Sequence, residues 1–206
     1  GTQWSYSNSG YFLLGVIIEK VTGKTYEQVL NENILEPLNM NGTGYDHSQT
    51  IITKRAAGYE KRGMNYVNAG YLDMSVPFSA GSLYSTVEDL YVWDQALYTD
   101  KLISAENKKK MFTPYLNNYA YGWGIVKAPL GITAESVPSI QHGGGINGFN
   151  TLICRIPGEK HLIVLLNNTG RVGLGAIATS ILGILNDKPF APPKKSLADE
   201  LFATMK

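Results

Sequence analysis

Two apolar runs late in the chain constrain the fold more than any other feature. They are "TLICRIP" (residues 151–157) and "HLIVLLNN" (residues 161–168), and Pro157-Gly158-Glu159-Lys160 joins them. Each run is short, apolar and bounded by turn formers, so the pair reads as a β-hairpin. Leu174, Ile177, Ala178, Ile181, Leu182 and Leu185 then recur at helical spacing over residues 173–185. That apolar stripe suits a helix packed on one face of a sheet. Upstream, "YAYGWGIV" and "SIQHGGGINGF" also read as strands. Residues from about 117 to 186 therefore predict an antiparallel meander closed by a helix.

Before residue 117 the periodicity is helical. Leu14, Ile17, Ile18 and Val21 predict a helix over residues 10–22, with Ser7, Asn8 or Ser9 as its cap and Gly23 as its stop. A second helix is expected from Thr25, with Gln28 completing a capping box and Pro37 ending it. Residues 39–80 are rich in Asn, Gly, Tyr and Thr and read as loops and short strands. A third helix follows, with Ser85 and Glu88 as its capping box and Leu90, Trp93 and Leu97 on one face. A short helix starts at Ser104. The fold class is α+β: a helical part over about 1–116, then sheet and closing helix over about 117–186. Residues 187–206 read as a Pro- and Lys-rich linker, "NDKPFAPPKKS", and a short amphipathic tail, "LADELFATMK".

Composition narrows the function. The 206 residues, 44% hydrophobic and 17% charged, suffice for one domain or a compact part of a larger one. A net charge of +1 gives no electrostatic basis for binding nucleic acid or an anionic membrane. Lys108, Lys109 and Lys110 read as a solvated helix face. Cys154 is the only cysteine, so no internal disulfide forms, and its strand context predicts a buried, inert thiol. No run approaches the roughly 18 apolar residues that a membrane span needs. The opening "GTQWSY" lacks the basic and apolar regions of a signal peptide, while a longer precursor remains open.

Two motifs carry candidate chemistry. Tyr6-Ser7-Asn8 stands just before the first helix, where it is either a turn with a helix cap or a pair of side chains presented to a ligand. "QHGGGINGFNT" (residues 141–151) contains a formal G-x-G-x-x-G at Gly143, Gly145 and Gly148. Dinucleotide binding requires a helix after those glycines, and the β-rich "FNTLICRIP" follows instead. A glycine-rich strand edge fits better. Without Cβ atoms a substrate backbone can lie close, and exposed N–H groups can stabilise an oxyanion. His142 would add a titratable group there, or it is a satisfied histidine beside a bulged strand.

Taken in order, "YSN" before a helix and "HGG" on a late strand, followed by a hairpin and a helix, resemble the serine β-lactamase and penicillin-binding protein superfamily. The likeness is to its class C β-lactamase-like branch of D,D-peptidases, D-aminopeptidases and esterases. "GYFLLGVIIEKVTGKTYEQVLNENILEPLNMNGTGY", "AGSLYSTVEDLYVWDQAL" and "YAYGWGI" fit as well, so the resemblance covers nearly all of residues 4–186. It implies an incomplete β-lactamase/transpeptidase-like fold and acyl-enzyme hydrolysis of D-amino-acid peptides, esters or β-lactams. It implies no metal and no organic cofactor, and a periplasmic, secreted or cell-envelope location.

In such enzymes Ser-x-x-Lys supplies the acylated serine and an activating lysine. Tyr-x-Asn shuttles a proton and binds the substrate amide, and Lys-Thr-Gly or His-x-Gly lines the substrate strand. Tyr6 and Asn8 match the second motif, and His142, Gly143 and Gly144 match the third; the Gly145 N–H falls where one oxyanion donor is expected. No serine of the chain has a lysine three residues later. The chain is therefore expected to be the C-terminal part of a longer domain and inactive alone, with self-association or pairing with an N-terminal part. A non-catalytic binding module for peptidoglycan or protein, and an unrelated α+β domain, are the alternatives.

Overall fold

The computed structural model describes residues 1–170 and 172–192. In chain order its elements are α1 (Asn8–Thr22), α2 (Tyr26–Leu30), a wide π-turn (Asn31–Leu35), α3 (Glu36–Leu38), β1 (Gly44–Tyr45), β2 (Tyr59–Arg62) and β3 (Asn65–Asn68). A 3₁₀ turn (Phe78–Ala80), β4 (Leu83–Tyr84), α4 (Val87–Ala96), α5 (Ala105–Phe112), β5 (Gly124–Pro129), β6 (Ser136–Ile146), β7 (Phe149–Ile156), β8 (His161–Asn167) and α6 (Leu174–Leu185) complete them. Among the described residues no helix is long and apolar enough to cross a membrane. The described residues form two compact units, 1–55 with 71–122 and 56–70 with those from 123 onward.

The first unit is built from α1–α5. Thr25 caps α2 through the Gln28 N–H, and the Gln28 side chain returns to the Thr25 N–H, the capping box read from the sequence. Pro37 does not end this helical stretch. The π-turn carries the backbone to Glu36, whose N–H reaches the Asn31 carbonyl. Pro37 then enters the first turn of α3, where a missing N–H costs little. The stop is Asn39, in the left-handed conformation at φ 56, which donates to the Glu36 carbonyl. Leu30, Leu35, Leu38, Met40 and Ala96 form this unit's core, with Ile34, Trp93 and Leu102 against it. The cap of α4 also differs from the expectation. Thr86, not Ser85, accepts the Asp89 N–H. Ser85 is engaged with the Thr43 hydroxyl, and the Asp89 carboxylate accepts from the Gly42 N–H and from Thr43.

The second unit centres on a four-stranded antiparallel sheet in the order β5-β6-β7-β8, the meander expected. Strand β5 starts at Gly124, later than the apolar run beginning at Tyr119 suggested. Alternation along β7 sends Leu152, Cys154 and Ile156 to one face, where Ile163 and Leu165 of β8 join them. Ala178 and Leu182 of α6 close that face, with Ile181 packed against it. Cys154 is buried, as expected, and burial pushes its thiol pKa up. The β2–β3 hairpin belongs to this unit, although it lies within a stretch that read as loops of the helical part. The Tyr59 N–H donates to the Asn168 carbonyl at 2.8 Å, and Asn168 Nδ2 donates to Ala57 at 2.9 Å. The first residues after α6 stay bound to this unit: Ser180 Oγ of α6 donates to the Ala191 carbonyl at 2.6 Å, and Lys188 pairs with Glu135 between β5 and β6. The amphipathic tail expected over residues 197–206 lies outside the described residues.

Candidate functional site

The start of α1 shows why Tyr6 and Asn8 sit two apart. Ser7 is the N-cap, and its hydroxyl accepts the Gly10 N–H at 3.0 Å. Asn8 becomes the first helical residue, with its side chain exposed. Tyr6 precedes the cap and stacks on Tyr11, at 6.1 Å between ring centroids and 28° between planes. An apolar residue before the cap resting on the fifth residue of the motif is the staple that fixes how a chain enters a helix. Tyr119 stands edge-on to Tyr6 at 6.1 Å and 81°, and its hydroxyl lies 3.2 Å from that of Tyr11. Trp4 flanks Tyr119 at 5.6 Å. With Leu14 these rings line a shallow hollow of about 320 Å³. Tyr6 remains 46% exposed, yet partial burial, and then the Tyr11 phenol beside it, raise its pKa above the usual value. Its neutral phenol is thereby favoured, and base catalysis by Tyr6 requires a cation near its oxygen.

His142 and the glycines are built by the second unit. Strand β5 pairs with β6 only from Gly124↔Gln141 to Pro129↔Ser136, whereas β7 pairs with β6 from Ile140↔Arg155 to Ile146↔Phe149. Residues 142–146 are therefore laddered on one side, and among the described residues no strand pairs with them on the β5 side. Gly143, Gly144 and Gly145 are exposed. The motif is thus strand and tight turn, not the loop-to-helix entry of a dinucleotide site. The His142 Nδ1–H donates to the Gly143 carbonyl at 2.6 Å. Because a carbonyl only accepts, Nδ1 is the donor in this bond.

The glycines differ in what they tolerate. A Cβ on Gly144 would meet Thr151 Oγ1 at 2.4 Å, while one on Gly145 meets nothing within 4 Å. Gly148 holds the β6–β7 turn at φ +77, against the backbone of Gly58. Below it lies an amide network that the sequence reading did not single out. Asn167 Nδ2 donates to Asn150 Oδ1 and to the Gly170 carbonyl, Asn150 Nδ2 donates to Val172, and Thr169 donates to Asn167 Oδ1. Asn147 Nδ2 ties the turn to the Gly70 carbonyl at 2.9 Å. These bonds tie the ends of β7 and β8 to the loop after β8 and hold the β6–β7 turn.

The beta-lactamase family model matches residues 1–181. The chain belongs to the beta-lactamase family. PbpX of Bacillus subtilis (strain 168), a penicillin-binding protein by name, is 31% identical over 186 residues, covering 90% of this chain and 45% of that protein. The octameric penicillin-binding protein homologue from Pyrococcus abyssi superposes with a TM-score of 0.77 at 27% identity, over 92% of this chain and 44% of that one. A D-amino acid amidase from Ochrobactrum anthropi SV3 shares the fold, with a TM-score of 0.75 at 22% identity, over 90% of this chain and 58% of that one. The chain thus spans less than half the length of PbpX. Tyr6 and Asn8 fall in the first unit and His142 to Gly145 in the second. Trp4, Tyr11 and Tyr119, which line the hollow beside Tyr6, are residues that sequence reasoning missed as site residues. The spacing of Tyr6 and Tyr11 about the Ser7 cap was a readable signal for the first contact; nothing local signals Tyr119.

Proposed function

We propose that this chain supplies two of the three parts of a serine hydrolase site that works by acyl-enzyme chemistry on D-amino-acid peptides, esters or β-lactams. The observation that carries the reading is the open half of β6, where a glycine run leaves one backbone edge available to an extended substrate. In this reading the substrate lies along Gly143 and Gly144, and the Gly145 N–H donates to the developing oxyanion. Asn8 holds the substrate amide. Tyr6 moves a proton between nucleophile and leaving group, aided by a cation that lowers its raised pKa. His142 contributes a titratable group in place of a fixed positive charge. A small molecule or a peptidoglycan-like peptide is the expected ligand, and the family resemblance suggests the periplasm, the cell envelope or the outside of the cell for the parent protein.

The nucleophile is not among these residues, since no serine is followed three positions later by lysine. The same observation supports a second reading, a binding module for peptidoglycan or protein that keeps the fold without turnover. The chain alone is expected to hydrolyse a chromogenic cephalosporin or a p-nitrophenyl ester no faster than its Tyr6→Phe variant, because no acyl-enzyme forms without a nucleophile. Turnover that disappears on Tyr6→Phe would reveal a nucleophile within the chain. In a parent carrying Ser-x-x-Lys, D-amino-acid peptides or small esters are expected to be better substrates than penicillins. Penicillin turnover with kcat/KM of order 10⁷–10⁸ M⁻¹s⁻¹ contradicts that preference.

A further inference from the structure

We infer that Tyr119 is a positioning residue for Tyr6: with Tyr11 it forms a two-ring clamp that holds the Tyr6 phenol over the start of α1. The inference rests on the proposed proton-shuttling role of Tyr6 and adds what holds that group in place. A tyrosine nearly half exposed ordinarily samples several rotamers, whereas proton transfer demands that its oxygen stay within hydrogen-bond reach of the reacting atoms. Here the ring is confined from two directions. Tyr11 stacks on it at 28°, and Tyr119 meets it at 81°, both at 6.1 Å. Offset-stacked and edge-on contacts are the two favoured aromatic geometries, each worth about 0.5–1.5 kcal/mol beyond area burial.

The clamp is itself fixed. The Tyr11 and Tyr119 hydroxyls lie 3.2 Å apart, so each ring holds the other. Tyr11 is anchored by α1. Tyr119 is anchored by a tight turn, in which the Tyr115 N–H donates to the Tyr119 carbonyl and the Tyr119 N–H to the Leu116 carbonyl, both at 3.0 Å. That turn places Asn117 and Asn118 in succession in the left-handed region, at φ 53 and 54. Two consecutive non-glycine residues there are costly, and asparagine is among the few side chains that tolerate it. The backbone accepts that cost while delivering the Tyr119 ring to Tyr6. The rise in the Tyr6 pKa, from burial and from Tyr11, fits a confined phenol.

The test labels tyrosine Cζ with ¹³C in this chain and assigns Tyr6 by its loss in Tyr6→Phe. Tyr119→Leu removes ring and hydroxyl, Tyr119→Phe removes the hydroxyl alone, and Tyr121→Phe, at a well-exposed position two residues on, is the control. The Tyr6 resonance is expected to shift in Tyr119→Leu, with its titration midpoint falling toward the ordinary tyrosine value, to shift less in Tyr119→Phe, and to stay in place in the control. If Tyr119→Leu fails to fold by circular dichroism, Tyr119→Phe decides. An unmoved Tyr6 resonance and midpoint in the folded variants overturns the inference. In the full-length parent, Tyr119→Leu is expected to lower kcat on the order of 10- to 100-fold with KM little changed, the cost of a misplaced group, and Tyr119→Phe to restore most of it. A parent that loses turnover on Tyr6→Phe but not on Tyr119→Leu also overturns the inference. A parent indifferent to Tyr6→Phe, with the Tyr6 resonance still moved by Tyr119→Leu, defeats the proton-shuttle reading and leaves the clamp standing.

Discussion

Gly144 and Gly145 are neighbours of one residue type, yet they answer to different constraints, and this separates folding from binding at residue scale. Gly144→Ala forces its Cβ onto Thr151, so it is expected to lower stability by about 1–3 kcal/mol. Gly145→Ala points into open space and is expected to change the urea midpoint by no more than about 0.5 kcal/mol in equivalent stability. In a turning-over parent, Gly145→Ala should still lower kcat/KM, because the new methyl stands beside the open edge of β6. Equal stability and equal activity in Gly145→Ala would remove that edge from the proposed site. The tyrosines give a second prediction. Burial raises the pKa of Tyr26 and of Tyr119, so above pH 10 the unfolded chain releases phenol protons that the folded chain retains. Stability is unaffected by these groups below about pH 10 and falls as pH rises past it. Urea midpoints from pH 8 to 11 should show the decline, and Tyr26→Phe should make it shallower; an unchanged slope in Tyr26→Phe refutes the assignment. At this scale the sequence was readable where chemistry is local. Ser7, Asn8 and Tyr6 form a cap, a first helical turn and a staple from consecutive positions. Tyr119 approaches Tyr6 from 113 residues away through ring packing, and no pattern of spacing records that contact.

Elements were legible where one periodicity governs them. The hairpin of β7 and β8 follows from two apolar runs and a Pro-Gly turn, and α6 follows from its stripe. The stripe is narrower in the structure than in the sequence: Leu174, Ala178 and Leu182 are buried at a spacing of four, while Leu185 is 46% exposed at the helix end. Leu182 is 1% exposed and sits among Cys154, Ile156 and Ile163, so Leu182→Ala is expected to cost about 2–5 kcal/mol, against under about 1 kcal/mol for Leu185→Ala. Chemical denaturation of both variants checks the contrast, and comparable losses would mean that α6 does not pack on the sheet by this face. Elements were misread where two signals competed. Pro37 reads as a helix stop, but the π-turn before it lets proline fall at a first-turn position. Ser85 and Thr86 are adjacent candidate caps, and the choice is made by Thr43, forty-two residues distant, which engages the Ser85 hydroxyl. The β2–β3 hairpin carried no sustained period, and its place at the end of β8 is set by one bond to the Asn168 carbonyl and one from the Asn168 side-chain amide, which sequence cannot show.

At the scale of the whole molecule, the question is what covers the apolar surface that the described residues leave open. On α1, Leu13, Leu14, Ile17 and Val21 are 58%, 50%, 54% and 80% exposed, on a helix with Lys20 as the only basic residue of its last turn. Strands β5 and β8 form the sheet edges, each paired on one side within the sheet. Exposed apolar patches and open edges recruit partners. Self-association is expected, and its strength can be bounded. A helix of 15 residues is roughly 22 Å long. At a width of about 10 Å it offers roughly 220 Å² of face, well short of the roughly 800 Å² per partner typical of a stable complex. The α1 face alone therefore supports weak association, and a tight complex requires a sheet edge as well. Sedimentation velocity should show concentration-dependent association from low micromolar upward, and Ile17→Glu should shift it toward monomer by burying a charge at the centre of that face. Association that survives Ile17→Glu and is lost when a charged residue is placed at outward positions of β8 would assign it to the edge instead. A monomer at every concentration, with no binding of a hydrophobic dye, would show that these side chains need no partner and would refute the expected self-association.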